Sequence, residues 1–137
     1  MHQRDALNHL RAAKSAHIQW RSNAQALVAG VAIDESKIPV DHTDCKFGQW
    51  YYGDGQLLMP LQAFQGIEVP HQNLHLVYKK IYDLLHVKMG FFRTQKAEKL
   101  LPTIIQLSES LIKSVELLEE DIRSHSEDEF QTLIRNP

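Results

Sequence analysis

The sequence predicts an all-α protein: an up-down bundle of three long helices, with one or two short helices carrying the only cysteine. Three observations lead there. In three long stretches apolar residues recur at alternating steps of three and four, the stripe of a helix packed in a bundle. No stretch of useful length alternates apolar and polar residues as a half-buried strand does. The breaks between the stretches carry glycine, proline or clustered polar residues.

The first thirty residues read as one helix, with Leu10, Ala13, His17, Trp20, Ala24, Leu27 and Val31 on its inner stripe and Gly30 near its end. Residues 32–41 read as a loop, broken by Pro39. Asp41 is then expected to cap a short helix over about 42–52, with Cys45 near its first turn, closed by Gly53-Asp54-Gly55. A further short helix is expected around 61–64, between Pro60 and Gly66. Pro70 suits the first position of a long helix, because its missing N–H is not needed there. From Pro70 onward His71, Leu74, His75, Tyr78, Ile81, Tyr82 and Leu85 share a face, and Gly90 is the expected stop. The last long helix carries Ala97, Leu101, Ile104, Ser108, Leu111, Val115, Leu118 and Ile122, with Pro102 expected to kink it or mark a fresh start. Residues 1–123 thus read as one domain, and the polar, acidic stretch 124–137 as a tail that frays.

Bulk composition narrows the function. The chain has 137 residues, 43% hydrophobic and 23% charged, enough for one soluble domain with its own core. Fifteen basic residues against 17 acidic give a net charge of −2, which argues against a nucleic-acid partner. No apolar run reaches the roughly 18 residues that would span a membrane, and the first residues lack the apolar core of a secretory signal. A single cysteine offers no internal disulfide. The expected compartment is the cytoplasm.

Eight histidines is a high number for this length, and their placement matters more than their count. His71 and His75 stand one turn apart on an inward face, a spacing that suits a shared metal ion. His17 lies in the inner stripe of the first helix, and Cys45 opens the short one. Each has a plainer reading taken singly, as a core histidine or an inert buried thiol. Together they change the balance. A buried imidazole costs free energy unless it is hydrogen-bonded or ligated, and one ion relieves that cost for four groups at once. Three imidazoles and a thiolate complete the tetrahedral shell of Zn2+. Such a shell leaves no position for an activated water, so catalysis is not expected. Gln72 stands where a zinc protease needs its glutamate. Glu68 is expected to precede the helix that begins at Pro70, so the Glu-x-x-His pattern of an iron bundle is not completed. His42, three residues before Cys45, reads as solvated or as a neighbour of the shell in preference to a fifth, competing ligand, whereas His2, His9, His86 and His125 read as surface residues. Asp41, Asp44, Tyr51, Tyr52 and Tyr78 are candidates to steady the second ring nitrogens. Trp20, Phe47 and Trp50 are expected to pack around the site.

His17 with Trp20, the run Cys45-x-Phe47-Gly48-x-Trp50 and Pro70-His71-x-x-x-His75 follow one another in a fixed order, the four candidate ligands spaced by 28, 26 and 4 residues. In these motifs the chain resembles the chemoreceptor zinc-binding (CZB) family, over roughly residues 10 to 120. The resemblance implies that His17, Cys45, His71 and His75 bind one Zn2+ in a cytoplasmic regulatory domain that senses zinc or oxidants. It also implies a homodimer and a bacterial signalling partner of chemoreceptor or diguanylate cyclase type. The chain contains no methyl-accepting hairpin or cyclase domain, so a free-standing member or a fragment is expected. A structural zinc site in a helical adaptor is the alternative. Three of the ligands belong to long helices and Cys45 to a short segment between loops. Loss of the Cys45–zinc bond, by chelation or by oxidation to the sulfenic acid, is therefore the expected trigger of any rearrangement.

Overall fold

A computed structural model of the chain describes residues 1–86 and 93–135. Gly90, the expected stop of the second long helix, lies outside them. The described residues form six α-helices and no strand: α1 (Gln3–Val28), α2 (Lys46–Tyr52), α3 (Gln62–Gln65), α4 (Glu68–Leu85), α5 (Arg93–Arg123) and α6 (Glu127–Arg135). Single 3-10 turns occupy Glu35–Lys37 and Asp54–Leu58. The all-α, up-down bundle is what the periodicity predicted.

α1 buries Ala6, Leu10, Ala13, His17, Trp20, Ala24 and Val28. It ends before Val31 because Gly30 takes a φ of +92°, a left-handed conformation open to glycine. The Gly30 N–H then returns to Leu27 O and the Val31 N–H to Ala26 O, both within 3.1 Å, which satisfies the last carbonyls of the helix. α5 buries Ala97, Ile104, Ser108, Leu111, Val115, Leu118 and Ile122 on the face the three-four pattern assigns to the core. It runs unbroken through Pro102, so no fresh start occurs there. Pro102 is exposed, and the carbonyl it leaves without a donor lies in the turn of Glu98, also exposed to water. α1 and α5 are antiparallel: Lys14 reaches Glu119, and Arg21, further along α1, reaches Ser108, earlier on α5.

Three boundaries differ from expectation. α4 begins at Glu68, not Pro70. Its first helical hydrogen bond runs from His71 N to Ile67 O, so the three preceding positions need no donor and Pro70 is accommodated third. Glu68 is accordingly inside the helix. α2 begins at Lys46, with Cys45 rather than Asp41 as its cap. Residues 41–44 instead form a turn closed by Asp44 N to Asp41 O at 3.1 Å. The expectation of a frayed end is also corrected over 127–135, which form α6. Ser126 Oγ accepts from Glu129 N and Glu129 Oε1 accepts from Ser126 N, both at 3.1 Å, a reciprocal cap. Phe130, in the next turn, is fully buried, and Glu127 accepts from Gln3 N at 2.8 Å, which fastens α6 to the start of α1.

Candidate metal centre

The centre lies where α4 meets the N-terminus of α2, under a strap of residues 38–45. The strap is tied on both sides. Trp20 on α1 donates from Nε1 to Pro39 O at 3.2 Å, and His75 on α4 donates from Nδ1 to Val40 O at 2.8 Å. Ile38, 1% exposed, pins its beginning in the core.

Cys45, His71 and His75 converge: one ligand atom from each lies within 4.8 Å of the other two. The three side chains are 6%, 1% and 3% exposed. Cys45 Sγ stands 3.3 Å from His71 Nε2. Two ligands of one tetrahedral zinc, with bonds of about 2.3 Å to sulfur and 2.0 Å to nitrogen, stand roughly 3.5 Å apart, so the pair already has the separation a shared ion needs. The rings of His71 and His75 have centroids 4.9 Å apart and stand nearly perpendicular, at 86°. The Val40 bond occupies Nδ1 of His75 and leaves Nε2 for a metal, the usual arrangement of a ligating histidine. The donor set fits a borderline-soft ion such as zinc.

The walls are aromatic. Trp20 lies 4.7 Å from His75 and Phe47 4.8 Å from His71, ring centre to ring centre. Burial here disfavours a charged imidazole and holds His75 down to about 4 against the opposing pull of the Val40 carbonyl. Burial, helped by the neighbouring His75, His42 and His17, lowers His71 to about 3. At neutral pH both are uncharged and present a lone pair. Burial likewise pushes the Cys45 thiol up, only partly offset by N–H groups from the first turn of α2. One of these is Gly48 N, which donates to Sγ at 3.2 Å. Without a metal Cys45 is a thiol at neutral pH, and an ion must displace its proton.

His17 is buried in the same region but does not join the three. Its Nε2 is 2.8 Å from Ser108 Oγ on α5, and Arg21 donates to the same hydroxyl at 3.2 Å. Its ring stacks 5.9 Å from Trp20. Burial, then the nearby Arg21 and His75, lower it to about 4. Nδ1 remains the nitrogen it can offer.

The ring partners differ from those expected. Tyr51 donates to Phe64 O at 2.9 Å, Tyr52 to Glu68 at 3.3 Å, and the Tyr78 hydroxyl meets no partner among the described residues. The Val40 carbonyl holds His75 and the Ser108 hydroxyl holds His17, whereas buried His71 Nδ1 meets no partner among the described residues. Trp50 packs against Phe47 and Phe64, both at 6.0 Å, one layer away from the ligands. Glu68, although helical, spends its carboxylate on Tyr52 and Gln72 and is not part of the cluster. His2, His9 and His86 are exposed, and His125 is half-buried between Asp121 and Glu129.

Residues 17–82 match the family model of the chemoreceptor zinc-binding domain, and this span contains all four predicted ligands. This segment is a chemoreceptor zinc-binding (CZB) domain. No curated protein and no solved structure matches the chain.

Gly48, inside the CZB segment, has a reason to be glycine. A Cβ there would overlap the carbonyl oxygen of His42 and crowd Thr43. The close approach lets the turn before Cys45 lie directly on α2. The sequence signalled it as a glycine inside a short helix, where glycine is otherwise unfavourable. Ser108 lies beyond the matched segment, and nothing in its local sequence distinguishes it from any other serine of a buried stripe.

Proposed function

We propose that this CZB domain binds one Zn2+ through His17, Cys45, His71 and His75, and that changes at the Cys45–zinc bond alter a signalling partner. The observation that carries the reading is the buried convergence of Cys45, His71 and His75 in a CZB segment. Bound zinc would supply the charge that holds Cys45 as a thiolate. The chain's own residues do the rest. Val40 fixes the His75 ring, Ser108 fixes His17, and the aromatic walls keep the imidazoles neutral and water out.

Cys45 caps a helix of seven residues, whereas His71 and His75 stand on one of 18 and His17 on one of 26. Release or oxidation of the thiolate therefore acts first on the strap and α2, and the long helices carry the displacement outward. The reading extends to a non-catalytic, cytoplasmic protein that works as a homodimer, coupled to an output of chemoreceptor or diguanylate cyclase type. No described helix is long and apolar enough to cross a membrane.

Elemental analysis of freshly purified protein tests the core of the proposal. About one zinc per chain is expected, the number a single tetrahedral site holds, and it should be lost or weakened in H71A and C45A. Wild-type protein that stays metal-free after zinc is added would overturn it. Coupling to the thiol is read separately: hydrogen exchange over 38–52 should rise when Cys45 is oxidised, and an unchanged pattern removes the redox arm of the proposal.

A further inference from the structure

We infer that His42 is a fifth metal-binding side chain of this domain. It is a solvent-side ligand through which an ion reaches His75, His71 and Cys45, and it completes their shell until His17 presents its Nδ1 to the ion. The inference rests on the zinc reading above.

Geometry is the first ground. Two imidazoles on one tetrahedral ion, with Zn–N bonds of about 2.0 Å, have ring centres roughly 5 Å apart. The His42 ring centre stands 5.7 Å from that of His71, nearly perpendicular at 81°, and 6.4 Å from that of His75. A side-chain rotation that brings it about 1 Å nearer His71 and about 1.5 Å nearer His75 gives the 4.9 Å spacing that those two rings already have.

Mechanical coupling is the second. The His42 carbonyl accepts from Cys45 Sγ at 3.4 Å, so the His42 backbone and the thiol belong to one turn. Val40, two residues earlier, is fixed to His75, and Gly48 packs directly on the His42 carbonyl. The backbone of residue 42 is thus positioned at the centre while its ring remains at the edge, half-buried against Tyr52 at 5.6 Å.

Access is the third. An ion must enter a cluster whose three members are nearly sealed from water. On the outer side of the strap a cavity of about 210 Å3 is lined by Val40, Asp41, His42, Gln72, His75 and Lys79, among others. It joins His42 and His75 to solvent, and its charged lining residues are Asp41 and Lys79, the latter paired with Asp83 at 3.6 Å. A second, larger cavity of about 590 Å3 reaches Cys45 beside His17 and Trp20, so the outer opening is the approach to His75 and the other is the approach to Cys45. Of the imidazoles, His42 and His75 line this outer opening, and His42 is the more exposed of the two. An ion taken by His42 and His75 needs a short displacement to meet His71 and Cys45. His17 can then turn Nδ1 inward and release His42.

Cobalt(II) titration of the full purified chain reads the coordination, because a tetrahedral Co2+ with one thiolate has intense visible bands and a sulfur charge-transfer band. H17A is expected to keep these bands, and H17A/H42A to lose them. Loss in H17A alone, or survival in the double variant, overturns the completing role; survival there would mean that water or another group fills the position. H42A removes a half-exposed ring and should fold like the wild type, as circular dichroism will show. Its zinc uptake and its release to a chelating dye, followed by stopped flow, should both slow about tenfold, the size of effect that loss of a supporting side chain has at a metal site. Wild-type rates in H42A overturn the entry role whatever H17A does. If wild-type protein binds neither Co2+ nor Zn2+, the zinc reading itself fails, and that result is distinct from the others.

Discussion

Burial has stripped the histidines of this centre of their protons before any ion arrives, and acid should expose the cost. In the unfolded chain these imidazoles titrate near 6.5, whereas in the fold His17 and His75 resist protonation to about 4 and His71 to about 3. Below pH 6.5 the unfolded state therefore holds more protons, by up to three, and stability falls as pH falls until the folded pKa values are reached. Denaturant titrations of metal-free protein between pH 7.5 and 4 should show that decline; a flat profile would mean that the rings are hydrated rather than buried. Ser108→Ala tests another single contact. It removes the hydroxyl that meets His17 Nε2 and Arg21, and zinc affinity should fall by roughly 10- to 100-fold, as for other groups that orient a metal's histidine. Unchanged affinity would show that His17 does not depend on Ser108 for its orientation. The candidate ligands were legible because motif spacing and helical period mark them. Ser108, 91 residues from His17 in the chain, and the Val40 carbonyl were not, because pairing across a bundle leaves no local pattern.

Among the elements, α2 with its preceding turn is the part on which the site depends most. Gly48→Ala puts a methyl group into the His42 carbonyl, and neither backbone can yield without moving Cys45. Overpacking of this kind typically costs about 1–3 kcal/mol, and here it should also weaken zinc binding, measured by chelator competition beside a denaturant titration. A variant as stable as wild type with unaltered affinity would show that the turn need not lie on α2. The long helices were legible from periodicity alone, and α1 even carries its stop signal, Gly30, in the chain. The short elements were misread at their edges for a common reason: caps decide them, and the caps are unusual. A cysteine sulfur starts α2, and a proline sits third in α4. Over α6 the signal was present. Ser126-Glu127-Asp128-Glu129 has the spacing of a capping box followed by an apolar residue, but the acidic run invites a solvated reading. Phe130 decides otherwise by packing into the core against a neighbour that the local sequence does not name.

For the molecule as a whole, the division of labour between core and metal sets what happens when zinc is withdrawn. Ile81, Ile104, Leu111, Leu118 and Ile122 are fully buried along α4 and α5 and are not among the clustered ligands. Each such side chain stabilises the fold by about 1.5–3 kcal/mol, so the long helices have a core of their own. Zinc at about a thousand times its Kd would add roughly 4 kcal/mol to the folded state, concentrated where the ligands are. Chelation should therefore lower the melting temperature and leave far-ultraviolet circular dichroism largely helical. Hydrogen exchange should rise over 38–52, the strap and α2, while the middle of α5 stays protected. That pattern is what a sensor requires, since the signal is a local release transmitted by helices that remain intact. If chelation instead melts all six helices together, the metal is a structural staple, and the adaptor reading replaces the sensor.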